Sequence, residues 1–296
     1  MRSPHQRAAS AALLVAFAAI AGCASAPDAP PPLTALETPL PLRARPADVF
    51  VPGETLTYDV SFGPFLVGEM VYRVEGARLG ARDALRFEGV TRARGLFAAF
   101  ARAGGTTRSL VDAETLLPDS AVWIDARRDD PMTRAACFDR GTGEARCVAF
   151  QSGWLETKVH RGATFFDAVS AMFLLRALEP APEGDERRLV MVEGTHLHLL
   201  TVRLVGREPL AVGDETEPRP ALKLSVRGDR LNDAGGLKDE RPQNDFHLWL
   251  ADTPRREPLR LAGRIAVGGV DVRWRPPPPD PSPDAPHRRE DAAPPP

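Results

Sequence analysis

The sequence predicts a mainly β protein: an antiparallel curved sheet, half-barrel or barrel-like, with one buried helix packed on the concave face. Three observations predict it. Residues 48–274 break into short runs of alternating apolar and polar residues, punctuated by Gly, Pro, Asn and Asp. No strand–helix–strand alternation occurs, so the strands pair antiparallel. One stretch, Thr164 to Leu178, has a helical reading, and between Asp167 and Pro180 its only strongly polar residues before the end are Ser170 and Arg176. A helix apolar nearly all round is a buried one.

The strands follow in order. Thr55 to Phe62 alternates cleanly, with Leu56, Tyr58, Val60 and Phe62 on one face. Gly63-Pro64 turns the chain into a return strand from Val67 to Glu75. Ala84 to Thr91 is a third strand, and Gly95 to Ala103 reads equally as strand or short helix. Thr106 to Val111 and Ser120 to Ala126 flank a turn between Asp112 and Pro118. Thr133 to Phe138 and Ala145 to Phe150 form a hairpin around Asp139 to Glu144. Cys137 and Cys147 are equidistant from Thr142, which predicts that they face each other and form a disulfide if the pair is of the closer, non-hydrogen-bonded kind. Two free thiols or a metal pair are the alternatives, and the absence of further Cys or His nearby weakens the metal.

The helix follows, with Asp167 as its N-cap and Pro180 and Pro182 beyond its end. Arg187 to Glu193 and His196 to Val205 make a hairpin turned at Gly194. Leu222 to Arg227, Asp245 to Leu250, Leu259 to Val267 and Val270 to Trp274 supply the last strands, with Gly268-Gly269 read as a tight hairpin turn.

The ends differ in composition. Arg2 and Arg7 precede an apolar core from Ala8 to Ala21, the length of a signal peptide and short for a membrane span. It closes on Ile20-Ala21-Gly22-Cys23, which resembles the bacterial lipobox. That resemblance implies removal of residues 1–22 and lipidation of Cys23. Pro27 argues against the alternative, an ordinary secretory cleavage after Ala24-Ser25-Ala26. Ala24, rather than Asp, after the cysteine implies the outer membrane, facing the periplasm. Residues 23–47 form a Pro-rich tether reaching up to roughly 70 Å, and residues 275–296 a Pro-rich tail.

Composition excludes some functions. Of 296 residues, 38 are Lys or Arg and 40 are Asp or Glu, a formal net charge of -2. Without residues 1–22 the balance is 36 against 40, so no basic excess suggests nucleic acid.

The order of these pieces resembles a bacterial envelope family, domain of unknown function 3108. The resemblance spans residues 49–274 and rests on Gly53 to Tyr58, Gly68, the Asp112 to Pro118 turn and Phe138-Asp139. Its most specific parts are Asp167-Ala168-Val169-Ser170 with Arg176, and Leu248 to Leu259. It implies an exported, mostly β protein and supplies no active-site residues.

Candidate chemistry is sparse. His196 and His198 share a strand face, a beginning for a metal site, but a third ligand is absent nearby and the same face continues into Leu200, Val202 and Leu204. Asp167, Ser170 and Arg176 read as cap, packing residue and ion pair rather than a catalytic row, because Arg176 falls on the far side of the helix from Asp167. Trp249, Asp252 and Arg255, with those three, are the candidates for a functional rim. No catalytic motif, metal set or cofactor fingerprint is present, so no cofactor is expected. The expected function is non-enzymatic binding or assembly at the envelope. The chain would contact the membrane through its lipid, and an apolar or amphipathic ligand, a glycan or an envelope protein through its domain. The alternative is a hydrolase or modifying enzyme whose site is assembled from distant residues.

Overall fold

The computed structural model describes residues 41–94, 104–125, 130–180, 182, 185–213, 215, 217–232, 235–238, 246–265 and 268–277. The signal peptide, Cys23, most of the tether, the Gly95 to Ala103 stretch and the C-terminal tail lie outside them.

The first half of the chain is a meander. β1 (Thr55–Phe62), β2 (Phe65–Leu79), β3 (Arg82–Ala93) and β4 (Gly104–Asp112) are followed by β5 (Pro118–Asp125), β6 (Met132–Asp139), β7 (Glu144–Gln151) and β8 (Trp154–Arg161). A three-residue strand, β9 (Phe165–Asp167), leads into the helix. The second half is also a meander: β10 (Arg187–Glu193), β11 (His196–Leu210), β12 (Arg219–Leu231), β13 (Phe246–Ala251), β14 (Pro258–Ile265) and β15 (Gly268–Arg275). All fifteen belong to one sheet, in the order β8-β7-β6-β5-β4-β3-β2-β1-β15-β14-β13-β12-β11-β10-β9. The two meanders meet where β1 pairs with β15, Val60 opposite Val272. Every ladder is antiparallel except that of β9 with β10, where Val190 pairs with Phe165. The start of the expected helix is therefore strand.

Two short helices are described. α1 (Pro46–Val49) buries Pro46 and Val49, and α2 (Ala168–Ala177) is almost wholly buried. Nine of the ten α2 residues, Val169 to Ala177, are buried. Leu56, Tyr58 and Val60 of β1, Met70, Tyr72 and Val74 of β2, and Leu222, Leu224 and Val226 of β12 belong with them to one apolar core. Phe173 stacks on Phe87 with ring centroids 4.1 Å apart and planes 4° apart, and Phe50 and Tyr72 meet it at 5.9 and 5.8 Å. The helix fills the concave face: the two voids beside it hold only about 20 and 10 Å3, roughly one water's room or less.

The sheet does not close on itself; its ends overlap. The face that lines α2 in β3, through Phe87, continues across the ladder into Ala121, Ala136 and Cys147. There it forms a second core with Phe165, Val190, Val192, Leu197 and Leu199. Those β10 and β11 residues are the back of strands whose other face, Met191 and Leu200, contacts the main core. β5 to β7 thus lie over the outside of β9 to β11.

Three expectations are corrected. The β6–β7 loop has four residues, Arg140 to Gly143, set by the Asp139 carboxylate accepting from the Gly141 and Thr142 amides at 2.9 and 3.2 Å. The hairpin's symmetry point therefore falls between Gly141 and Thr142. Cys137 pairs with Arg146, and Cys147 with Ala136. A one-residue offset turns a side chain to the opposite face, so Cys137 is exposed, Cys147 is buried, and both are free thiols. Gly268 and Gly269 lie in β15, paired with Ile265 and Arg264. Residues 266–267 lie outside the described residues. Gly268 is required by packing: a Cβ there would come within 2.6 Å of the Phe62 ring. Finally, β8 was not expected. Glu156, Lys158 and His160 interleave with Leu155, Thr157 and Val159, and as a sheet edge it has no solvent-free face to impose a clean alternation.

The two thiols should differ in reactivity. Burial, with Cys137 nearby, pushes the Cys147 thiol up to about 12. A maleimide should label Cys137 in the folded protein and Cys147 only after denaturation. A folded protein with no reactive thiol would restore the disulfide.

Candidate functional site

The expected rim residues do not form a rim. Asp167 caps α2 from a fully buried position: one carboxylate oxygen accepts from the Val169 and Ser170 amides at 3.0 and 3.1 Å, and the other accepts from the Ser109 hydroxyl at 2.6 Å. The Ser170 hydroxyl accepts in turn from the Asp167 amide at 3.0 Å. This is a complete capping box. Burial raises the Asp167 pKa against the lowering by these hydrogen bonds. No oxygen of the pair faces a ligand.

Arg176, at the other end of α2, is fully buried, and each of its three guanidinium nitrogens is hydrogen-bonded. Nη1 and Nη2 donate to the two Glu54 carboxylate oxygens at 2.8 and 3.0 Å. Nε donates to the Arg255 carbonyl at 3.1 Å and Nη2 also to the Val49 carbonyl at 3.3 Å. The guanidinium lies 4.8 Å from the centroid of Phe50 and 5.6 Å from that of Phe173. Arg255 adds a bond to Glu54 at 2.7 Å. Arg176 and Arg255 thus meet through Glu54, a partner the sequence did not single out for this role. Trp249 and Asp252 lie elsewhere. The Trp249 indole donates to Glu208 at 2.7 Å, between Lys223 and Arg260. Asp252 pairs with Arg207 at 3.0 Å.

A cavity of ligand size lies at the overlap of the sheet ends, around the tip of the β10–β11 hairpin. It is an open cleft of about 460 Å3. Arg134 of β6 and Trp154 and Glu156 of β8 form one side; Glu193, His196 and His198 of β10 and β11, with Arg230 of β12, form the other. The hairpin turns at Gly194, whose φ of 59° suits glycine. The Arg134 side chain crosses it so closely that a Cβ there would lie 2.8 Å from Arg134 Cδ. Thr195 donates its hydroxyl to Glu156 at 2.9 Å, joining the two sides.

Several polar groups in the cleft lack hydrogen bonds. His198 is 3% exposed, and neither ring nitrogen has a hydrogen-bond partner among the described residues. Arg230 Nε is buried and equally unpaired. Burial, Arg230 and His196 push His198 down to about 3. Burial pushes Glu193 up to about 7, against the pull of Arg134 and Arg230. The 3.6 Å approach of His198 Nε2 to Glu193 is therefore not an ion pair at neutral pH: desolvation and the adjacent guanidinium keep the imidazole neutral. The sequence paired His196 with His198, but three of the cleft's charged residues, Arg134, Glu156 and Arg230, come from other stretches of the chain. No group of three or more His, Cys, Asp or Glu among the described residues is placed to hold a metal.

The family profile described as "Protein of unknown function (DUF3108)" matches residues 57–273, and the chain belongs to that family. No curated protein matches it. Among solved structures, it is similar to a β-barrel-like protein of domain of unknown function DUF1849 from Brucella abortus, at 12% identity and a TM-score of 0.46, over 74% of this chain and 94% of that one. It is also similar to a candidate exported protein with a YmcC-like fold from Bacteroides fragilis, at 10% identity and a TM-score of 0.34, over 77% and 99% of the two chains.

Two measurements separate the clamp from the cleft. Arg176→Ala leaves Glu54 buried beside one remaining partner and should destabilise the fold by about 3–5 kcal/mol in urea unfolding. The Arg176→Met, Glu54→Gln double variant should lose less than the two single changes summed; a loss under about 1 kcal/mol for Arg176→Ala would refute the clamp. In the cleft, Glu193 faces Arg134, Glu156, His196, His198 and Arg230. Its folded pKa lies above the unfolded value of 4.5, so the stability it contributes is complete below pH 4.5 and is lost as pH rises through about 7. Glu193→Gln should therefore gain on the order of 2 kcal/mol relative to wild type between pH 5 and pH 8. A difference independent of pH would show that Glu193 titrates normally.

Proposed function

We propose that this DUF3108 member is a lipid-anchored envelope protein whose role is non-enzymatic binding, and that it takes its ligand in the cleft between the overlapping sheet ends. The observation that carries this reading is the set of buried, unpaired polar atoms there, His198 Nδ1 and Nε2 and Arg230 Nε. Each such atom costs about 1–3 kcal/mol until a partner arrives. The concave face was the expected place for an apolar ligand, but α2 leaves no comparable room there.

Anchoring is supported by the residues before the domain: the basic start, the apolar core and Cys23. Among the described residues no helix is long and apolar enough to cross a membrane. On this reading residues 23–40 tether the domain to the outer membrane on its periplasmic side. The chain is described from Pro41, where it already lies against the end of α2, with Arg43 donating to the Ala177 carbonyl at 2.9 Å.

One observation favours a second reading, a hydrolase. Glu193, raised to about 7 by burial, lines the cleft, and a carboxyl titrating near neutrality suits acid–base chemistry. On that reading Glu193→Gln abolishes turnover while binding persists.

The test is native mass spectrometry of the protein purified from its own envelope. A bound small molecule should be present in wild type and lost in Arg230→Ala, and the Cys23 residue should carry the mass of its acyl chains. A ligand-free mass would overturn the binding role, and an unmodified N-terminus would overturn the anchor.

A further inference from the structure

The chemistry of the cleft narrows the ligand, given the reading of the cleft as a binding site. Its unpaired groups are of both kinds. Arg230 Nε only donates. The neutral His198 ring has one nitrogen that donates and one that accepts, and neither has a hydrogen-bond partner. Glu156 and Glu193 bring acceptors to the same walls.

Most ligand classes leave part of this set unmet. A simple anion would satisfy Arg230 but would lie against Glu193, whose carboxyl is 3.6 Å from His198, and it has no proton for the accepting ring nitrogen. A simple cation would meet the carboxylates but would be repelled by Arg134 and Arg230. An apolar chain would leave every one of these atoms buried without a partner. Hydroxyl groups do both, each carrying one donor and two acceptor lone pairs.

The rim adds an apolar surface. Trp154 is 46% exposed, with Ala149 and Met132 lining the cleft beside it. The face of an indole is electron-rich and attracts C–H groups polarised by neighbouring oxygens. A volume of about 460 Å3 lies within the 300–1,000 Å3 typical of small-molecule sites.

We infer that the cleft binds a saccharide, with ring hydroxyls on His198, Arg230 and the carboxylates, and a ring C–H face on Trp154. A mildly acidic sugar gains further from Arg134, which is held in place over Gly194.

The experiment titrates the full mature chain, in a detergent without a sugar headgroup, with the methyl glycosides of glucose, N-acetylglucosamine and glucuronic acid and with their disaccharides. Binding is read by calorimetry and by saturation-transfer NMR. At least one saccharide should bind, its ring C–H protons should receive saturation, and its Kd should rise about tenfold or more in Arg230→Ala and in Trp154→Ala. The Trp154 variant changes a half-exposed residue and should melt with wild type, which guards against a folding defect. Inorganic phosphate or citrate binding as well as the sugars and displacing them would make this an anion site and overturn the inference. Saccharide binding that is indifferent to Trp154→Ala would overturn the seating on the rim. If no saccharide binds while the envelope-purified protein still carries a ligand that Arg230→Ala removes, the ligand class is wrong and the binding role stands. If neither is found, both fall.

Discussion

A guanidinium removed from water is tolerable only when its charge is paired and its nitrogens are hydrogen-bonded, and Arg176 is the place where this constraint organises the protein. Its donors reach Glu54 ahead of β1, the Val49 carbonyl at the end of α1, and the Arg255 carbonyl in the turn after β13, from the last turn of α2. Three distant pieces of chain, the 49–54 stretch, the end of α2 and the turn after β13, are joined by one side chain. Such a pair contributes little net stability over apolar residues of the same shape, because desolvation offsets most of the Coulomb gain. Its effect is on specificity: α2 can sit in one register and one direction, since any other leaves a buried charge unpaired. The neighbouring Arg256, with φ of 47°, donates to the Leu178 carbonyl at 3.1 Å and satisfies the helix end as well.

Three of the stretches that carry the resemblance meet at the Arg176 side chain. Gly53 to Tyr58 contains Glu54, the helix motif contains Arg176, and Leu248 to Leu259 contains Arg255. They are the parts of one buried cluster. Helix and strand identities were legible wherever one face is dry. β1 and β10 match their alternation at both ends, and the capping role of Asp167 followed from residue type and position. What was not legible depended on counts and contacts that alternation does not encode. A single residue in the β6–β7 loop decided the facing of Cys137 and Cys147. β8, wet on much of its surface and charged, lacks the dry face that makes a strand readable. Glu54 was visible as part of a motif but not as a partner. The cleft was hidden most completely, because Arg134 and Glu156 reach Glu193 and Arg230 only once the sheet winds past itself.

That winding divides the molecule by chemistry. Around α2 the interior is apolar, aromatic and filled, with its few polar groups hydrogen-bonded or ion-paired. At the overlap of β5 to β8 on β9 to β12 the packing is shallower, and it opens into a polar cavity with unmet donors and acceptors. A site at the margin of two overlapping layers can carry such groups because the strands beneath it are held by the second core, not by the site itself. The helix is thus a structural element, and the open polar room lies at the scroll's outer seam rather than on the concave face.

The β1–β15 ladder has a further consequence, for the order in which the chain can fold. Within each meander nearly every strand pairs with its neighbour in sequence, so loop closure is short and fast. β1 and β15 are joined only after more than two hundred residues have been made, with Arg275 bridging Asp59 and Glu69 across the junction. Until that contact forms, β1 and β15 are bare edges in the middle of the future sheet, and two apolar half-sheets face solvent. The slow step is therefore a late docking of two preformed halves, with the aggregation risk that open strand edges bring. A permuted chain that began at β9 and ended at β8 would convert this junction into an ordinary connection and would pair its strands almost in the order of their synthesis.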